Sequence, residues 1–230
     1  MCGRFTLTAD LRAIQQHFHL QSLPEDIPPR YNIAPSQPIA VIANDDPTRL
    51  TFFRWGLVPS WSKDLAIGNK MINARAETLA EKPSFRSAFK RRRCLIPADG
   101  FYEWTGDGKN RKPMFLHLAD RSVFAFAGLW EVWHGPDGEE VRSCTIITGE
   151  PNELVQPLHH RMAVILHEED YDTWLQPGDM DAKELMPLLR PYESERMAVY
   201  EVSKAVNSPS NDTPECIAPI AEPPAQGSLL

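Results

Sequence analysis

Residues 94–104 read Cys-Leu-Ile-Pro-Ala-Asp-Gly-Phe-Tyr-Glu-Trp. Two β-type runs, 94–97 and 101–104, flank the turn Ala98-Asp99-Gly100, and Asp107-Gly108 marks a hairpin turn just beyond. The same signature recurs outward in both directions. Residues 39–43 and 50–54 form a hairpin around Asp45-Asp46-Pro47, and 114–118, 123–130, 144–148, 161–166 and 197–202 read as further strands. Between the hairpin and the central strands, residues 55–61 (Trp-Gly-Leu-Val-Pro-Ser-Trp) read as a rigid aromatic loop. Helical spacing is confined to short stretches. Residues 8–20 carry Leu11, Ile14 and Phe18 in phase, with Thr8 or Asp10 to cap them; 76–81, 84–92, 167–175 and 182–189 are shorter. Twenty-one prolines spread along the chain keep helices short. The pattern predicts an α+β fold, a mostly antiparallel β-barrel-like core with several short peripheral helices. One domain is expected over 1–217, with residues 218–230, rich in proline, as a disordered tail.

Composition narrows the function. The 230 residues are 42% hydrophobic and 24% charged, ordinary for a globular protein. No apolar run approaches the ~20 residues of a membrane span, and the N-terminus shows no secretory h-region. Cys2, Cys94, Cys144 and Cys216 form no CxxC, which disfavours a disulfide scaffold and a metal site and fits a cytoplasmic protein. The net charge of −7 hides an asymmetry: residues 1–120 carry 17 Lys+Arg against 12 Asp+Glu, and 121–230 carry 7 against 19. A net-acidic chain binds phosphates when its basic groups share one face. The run Lys90-Arg91-Arg92-Arg93 reads as a solvated helix end.

Five segments carry chemistry. Removal of Met1 would leave Cys2 with an α-amine (pKa about 7.7–8.0) and a thiol (about 8.5) on adjacent carbons. Such a terminus serves amide hydrolysis, the amine acting as base, or aldehyde capture through a Schiff base that closes to a thiazolidine. Residues 72–78 (Ile-Asn-Ala-Arg-Ala-Glu-Thr) offer the Asn73 amide and the planar fork of Arg75, suited to phosphate. Glu103, set among Phe101, Tyr102 and Trp104, is expected to be buried with a raised pKa, a usable proton donor. His159 and His160, read as strand neighbours, would point to opposite faces, making one of them a general acid/base and the pair a poor metal site. Residues 202–212 form a polar turn segment able to present N–H groups and hydroxyls to a phosphate.

In order and spacing these segments, with Cys2-Gly3-Arg4-Phe5, residues 30–35 (Arg-Tyr-Asn-Ile-Ala-Pro) and Trp55-Gly56, resemble the SOS response-associated peptidase (SRAP) family over nearly the whole chain. The resemblance implies a protein that loses Met1 autocatalytically and cross-links abasic sites in single-stranded DNA through Cys2. It implies Cys2, Asn73, Glu103 and His159 as the catalytic set, Arg4, Asn32, Pro35, Trp61, Arg75, Thr148 and Ser203 as DNA contacts, and no cofactor. Trp61 would be an aromatic wedge. Ala163 stands where the family pattern has proline after His-x-Arg-Met. The expected partner is abasic single-stranded DNA, bound by a monomer. Two rivals differ in what they require. A hydrolase acting in trans through an N-terminal nucleophile shares Cys2 but needs no basic groove, and a non-covalent reader of modified bases needs no Cys2.

Overall fold

A computed structural model describes residues 2–106 and 108–220. In chain order the strands are β1 (Phe5–Leu7), β2 (Arg30–Ile33), β3 (Pro38–Ala43), β4 (Leu50–Trp55), β5 (Asn73–Arg75), β6 (Arg93–Ala98), β7 (Gly100–Thr105), β8 (Lys112–Leu118), β9 (Phe124–His134), β10 (Glu140–Gly149), β11 (Met162–Ala163), β12 (Ile165–Leu166) and β13 (Met197–Glu201). Four short α-helices accompany them: α1 (Leu11–His17), α2 (Arg86–Arg91), α3 (Tyr171–Trp174) and α4 (Ala182–Leu185).

Strands β4, β3, β6, β9 and β10 pair in that order, and β10 pairs back onto β4 to close a five-stranded barrel. A ring of five strands cannot alternate direction throughout, and the one parallel contact of this ring is β4 with β10. A second sheet, β13-β8-β7-β1-β2, lies beside it. The Asp99 turn passes the chain from barrel to second sheet. Its carboxylate accepts from the Thr6 and Thr8 hydroxyls and from the backbone N–H groups of Thr8 and Ala9, bonds of 2.5–2.9 Å that tie the turn to β1. Gly100 is required there: a Cβ would sit 2.2 Å from the Phe115 ring.

The N-terminal strand is anchored by its aromatic residue. Phe5 is 1% exposed and meets Trp55 and Phe126 edge-on, with ring centroids 5.2 and 5.9 Å away. Full burial of such a side chain is worth roughly 1.5–3 kcal/mol. That anchor fixes the position of Cys2, three residues upstream.

Several expectations are corrected. The helix expected over 8–20 is α1, capped by Asp10 through the Ala13 N–H; Thr8 is engaged by Asp99 instead, and His19, with φ of 53°, turns the chain away. The helix expected over 76–81 is one 3₁₀ turn, Ala76–Thr78. The strand expected over 161–166 is two two-residue strands, and His159 and His160 lie before them in a loop. Their rings stack at 4.4 Å rather than facing opposite ways. Of the expected tail, Pro219 bridges Val202 and the Ile220 N–H bonds the Glu201 carbonyl; residues 221–230 lie outside the described residues. Among the described residues no helix is long and apolar enough to cross a membrane.

The basic run is a solvated helix end only in part: Lys90 and Arg91, in the last turn of α2, are exposed. Arg91 pairs with Asp179 and Arg92 with Glu131. Arg93 is fully buried and donates to the carbonyls of Phe89, Lys90, Trp174, Gln176 and Gly178. Its guanidinium thus satisfies carbonyls left unpaired where α2 and α3 end.

Candidate functional site

Cys2 leads into β1, the strand paired with both β2 and β7. It is fully buried, and its carbonyl accepts a 2.8 Å hydrogen bond from the Asn73 side-chain amide. Asn73 comes from β5, which pairs in parallel with β10, aligning Asn73 with Ile146 and Arg75 with Thr148. Strand alternation puts Asn73 and Arg75 on one face and Ala74, 1% exposed, on the other. Arg75 is exposed, and its guanidinium makes no hydrogen bond or ion pair among the described residues.

Glu103 arrives from β7. The register Phe5 opposite Phe101, continued by the Tyr102 N–H to the Arg4 carbonyl at 3.0 Å, sets Glu103 across from Gly3. It is 3% exposed. Burial pushes its pKa up, and the positive charge of the amino terminus opposes that rise. The Cys2 thiol is also pushed well above its ordinary value, first by burial and then by the Glu103 charge, so it is a protonated thiol at neutral pH. The register that sets Glu103 across from Gly3 brings it to the neighbour of Cys2.

His159 sits half-buried in the loop after β10. Its Nδ1 lies 3.0 Å from the Arg161 N–H and 3.1 Å from the Arg161 carbonyl, so either tautomer finds a partner. Burial, and then the charge of the amino terminus, lower its pKa and favour the neutral imidazole.

The expected DNA contacts divide in two. Trp61 is 60% exposed, and Ser203 and Arg75 are exposed as well. Trp61 is presented by a loop whose base is fixed: Gly56 has φ of 128°, a Cβ there would lie 2.6 Å from the Gly68 carbonyl oxygen, and the buried Trp55 donates to the Ile72 carbonyl. Pro35 is half-buried. Asn32 and Thr148, in contrast, are fully buried. Asn32 accepts from Arg4 and donates to the carbonyls of Val206, Ser208 and Asn211, so it secures Arg4 and the 203–212 segment and has no reach left for a strand. Thr148 is spent on Ala74 and Arg161. In the free chain both side chains are thus buried and bonded within the protein.

Arg4 is half-buried, its guanidinium held by Asn32 and the Val206 carbonyl at 2.8 Å each. It lines a shallow depression with Gly3, Trp104, Gly108, Arg111 and Asn207. The exposed Arg111 escaped the sequence reading, which held no signal for it beyond its place after a hairpin turn. Its charge lowers the pKa of both Glu103 and His159. Glu77 and Arg161, quoted in two motifs without a role, pair with each other here.

Comparison with known proteins finds relatives over nearly the whole chain. The family model described as SOS response associated peptidase (SRAP) matches residues 1–209. A protein of Bacillus subtilis strain 168 called abasic site processing protein YoqW is 52% identical over 221 residues, covering 94% of this chain and 99% of its own. The chicken protein called abasic site processing protein HMCES is 36% identical over 191 residues, 73% of this chain and 56% of that one. A crystal structure of a protein from Bacteroides thetaiotaomicron superposes with a TM-score of 0.85 at 28% identity, covering 95% of this chain and all of that one.

Proposed function

The chain belongs to the SOS response-associated peptidase family, and from that premise we propose that Cys2 captures abasic sites in single-stranded DNA covalently. The protein works on abasic-site DNA damage, and DNA is its partner. The finer reading rests on one observation: a buried Cys2, held through its carbonyl by Asn73 and electrostatically coupled to the Glu103 carboxyl.

The first step is on the chain itself. Hydrolysis of the Met1–Cys2 peptide bond frees the Cys2 amine beside its thiol. A ring-opened abasic deoxyribose then presents an aldehyde at C1′. The amine attacks C1′, and the carbonyl oxygen takes up protons and leaves as water, giving a Schiff base. Glu103, its pKa raised by burial, is the donor for ring opening and for the departing water. The thiol, which holds its proton until then, adds across C=N, sulfur to carbon and proton to nitrogen, closing the thiazolidine. Asn73 orients the new terminus. His159, neutral, carries protons during ring opening and reversal.

The strand is held by Arg75 and Arg4 on phosphates and by Trp61 stacking on a base, worth roughly 1–3 kcal/mol. Pro35 and Ser203 flank its path. One protein monomer engages one strand, and a missing base leaves room for the terminus to enter.

Cys2→Ser provides the test. It keeps the amine but not the thiol, so abasic single-stranded DNA forms a labile Schiff base that borohydride traps, whereas the wild type gives an adduct that survives denaturation untreated. A Cys2→Ser adduct as stable as the wild type's would overturn the thiazolidine.

A further inference from the structure

The Asn73–Thr78 segment, the end of β10 and the histidine loop each contribute to the site, and one side chain joins all three. Arg161 donates through both terminal nitrogens to the two carboxylate oxygens of Glu77, the Nη2–Oε2 bond being 2.9 Å. The same Nη2 reaches the carbonyl of Thr148 at 2.5 Å and its hydroxyl at 3.4 Å. The backbone of Arg161 cradles Nδ1 of His159. The Arg161 side chain is 13% exposed, and its Nε is buried with no partner among the described residues. Only the Glu77 carboxylate completes the fork on its outer edge. Arg161 in turn holds the Glu77 carboxyl below the usual carboxylate range.

We propose that Glu77 is a positioning residue for the reaction: by clamping Arg161, whose backbone holds Nδ1 of His159, it fixes that imidazole relative to Asn73. Loss of the clamp slows chemistry, because a proton carrier displaced by an ångström or less costs rate steeply. The loss shows at saturating DNA, which separates this role from a general stabilising one.

The proposal rests on the reading of His159 as a proton carrier in Cys2 capture, and the test keeps the two apart. Glu77→Gln, Glu77→Asp and Arg161→Lys are compared with the wild type on abasic single-stranded oligonucleotide. Three quantities are read: Kd, the first-order cross-linking rate at saturating DNA, and melting temperature. Glu77→Gln is expected to lower the saturated rate about tenfold or more with Kd and melting temperature close to the wild-type values. Glu77→Asp restores part of the rate. Arg161→Lys keeps the charge but cannot fork, so it slows the reaction as Glu77→Gln does and covers the case in which that variant folds poorly. A wild-type protein that forms no adduct overturns the Cys2 reading. A wild type that cross-links beside Glu77→Gln and Arg161→Lys proteins at unchanged rates overturns the clamp alone, as does a rate loss that merely follows weaker binding.

Discussion

The conspicuous arginines of this chain and the arginines proposed to hold the strand are different residues. Arg91, Arg92 and Arg93 form the densest basic run in the sequence, yet two pair with acids and the third is sealed inside, capping two helix ends. Arg4 and Arg75, each solitary in sequence, come from β1 and β5 to the neighbourhood of Cys2. The difference lies in what each guanidinium has left to offer. Arg93 spends its N–H groups on carbonyls, while Arg75 keeps its fork free among the described residues. Local charge density in sequence thus reports helix ends here, and long-range strand pairing brings Arg4 and Arg75 to the elements that hold Cys2.

The comparison is broken most severely by removing the site's acid. Glu103→Gln keeps shape but cannot transfer a proton, and adduct formation should slow by about 10²–10⁴ in timed denaturing gels with DNA pre-bound. The folded carboxyl holds its proton more tightly than the unfolded one, whose pKa is about 4.3. The stability it allows is therefore complete below that value and is lost as pH rises through the raised folded pKa. Glu103→Gln removes that loss, so chemical denaturation at neutral pH should show a variant at least as stable as the wild type.

Next in size is the buried arginine. Arg93→Met leaves several carbonyls unpaired in the interior and should cost upwards of ~3 kcal/mol in denaturant unfolding, while the protein that remains folded still cross-links. A larger effect on cross-linking rate than on stability would move Arg93 into the working set. Smaller still, Arg75→Ala should reduce the single-strand salt slope by about 0.7, read by anisotropy across a salt series, with little change in melting temperature. Trp61→Ala should weaken binding at constant slope, since stacking releases no counterions. Arg91→Ala, the surface member of the run, should change neither stability beyond ~0.5 kcal/mol nor the slope. A slope change there equal to that of Arg75 would erase the distinction.

Much of the fold was legible because its signals are local. The hairpin of β3 and β4 and the pairing of β7 with β8 follow from apolar alternation around turn residues. A barrel-like core was expected, but which strands close it was not legible, because the parallel contact of Arg54 with Ser143 joins strands far apart in sequence and leaves no periodic mark on either. The histidine loop was misread as strand because Arg161–Leu166 is apolar enough to pair, whereas the Val155 carbonyl, by accepting from Leu158 and His159, turns the chain before it. Glu103 is buried as expected, although strand alternation turns the neighbouring Tyr102 and Trp104 to the other face of β7. The burial of Asn32 and Thr148 was not legible, since their residue types suit a polar surface and a buried hydrogen-bond hub equally well. Glu77 and Arg161 sit in motifs already singled out, and only their proximity shows that they serve each other.

The account's central claim is the covalent chemistry of Cys2. Intact mass spectrometry of purified protein incubated with an abasic single-stranded oligonucleotide tests it most directly. The predicted result is a species equal to the chain beginning at Cys2 plus the oligonucleotide less one water, absent for Cys2→Ala. An adduct that retains Met1, or one that persists in Cys2→Ala, would contradict it.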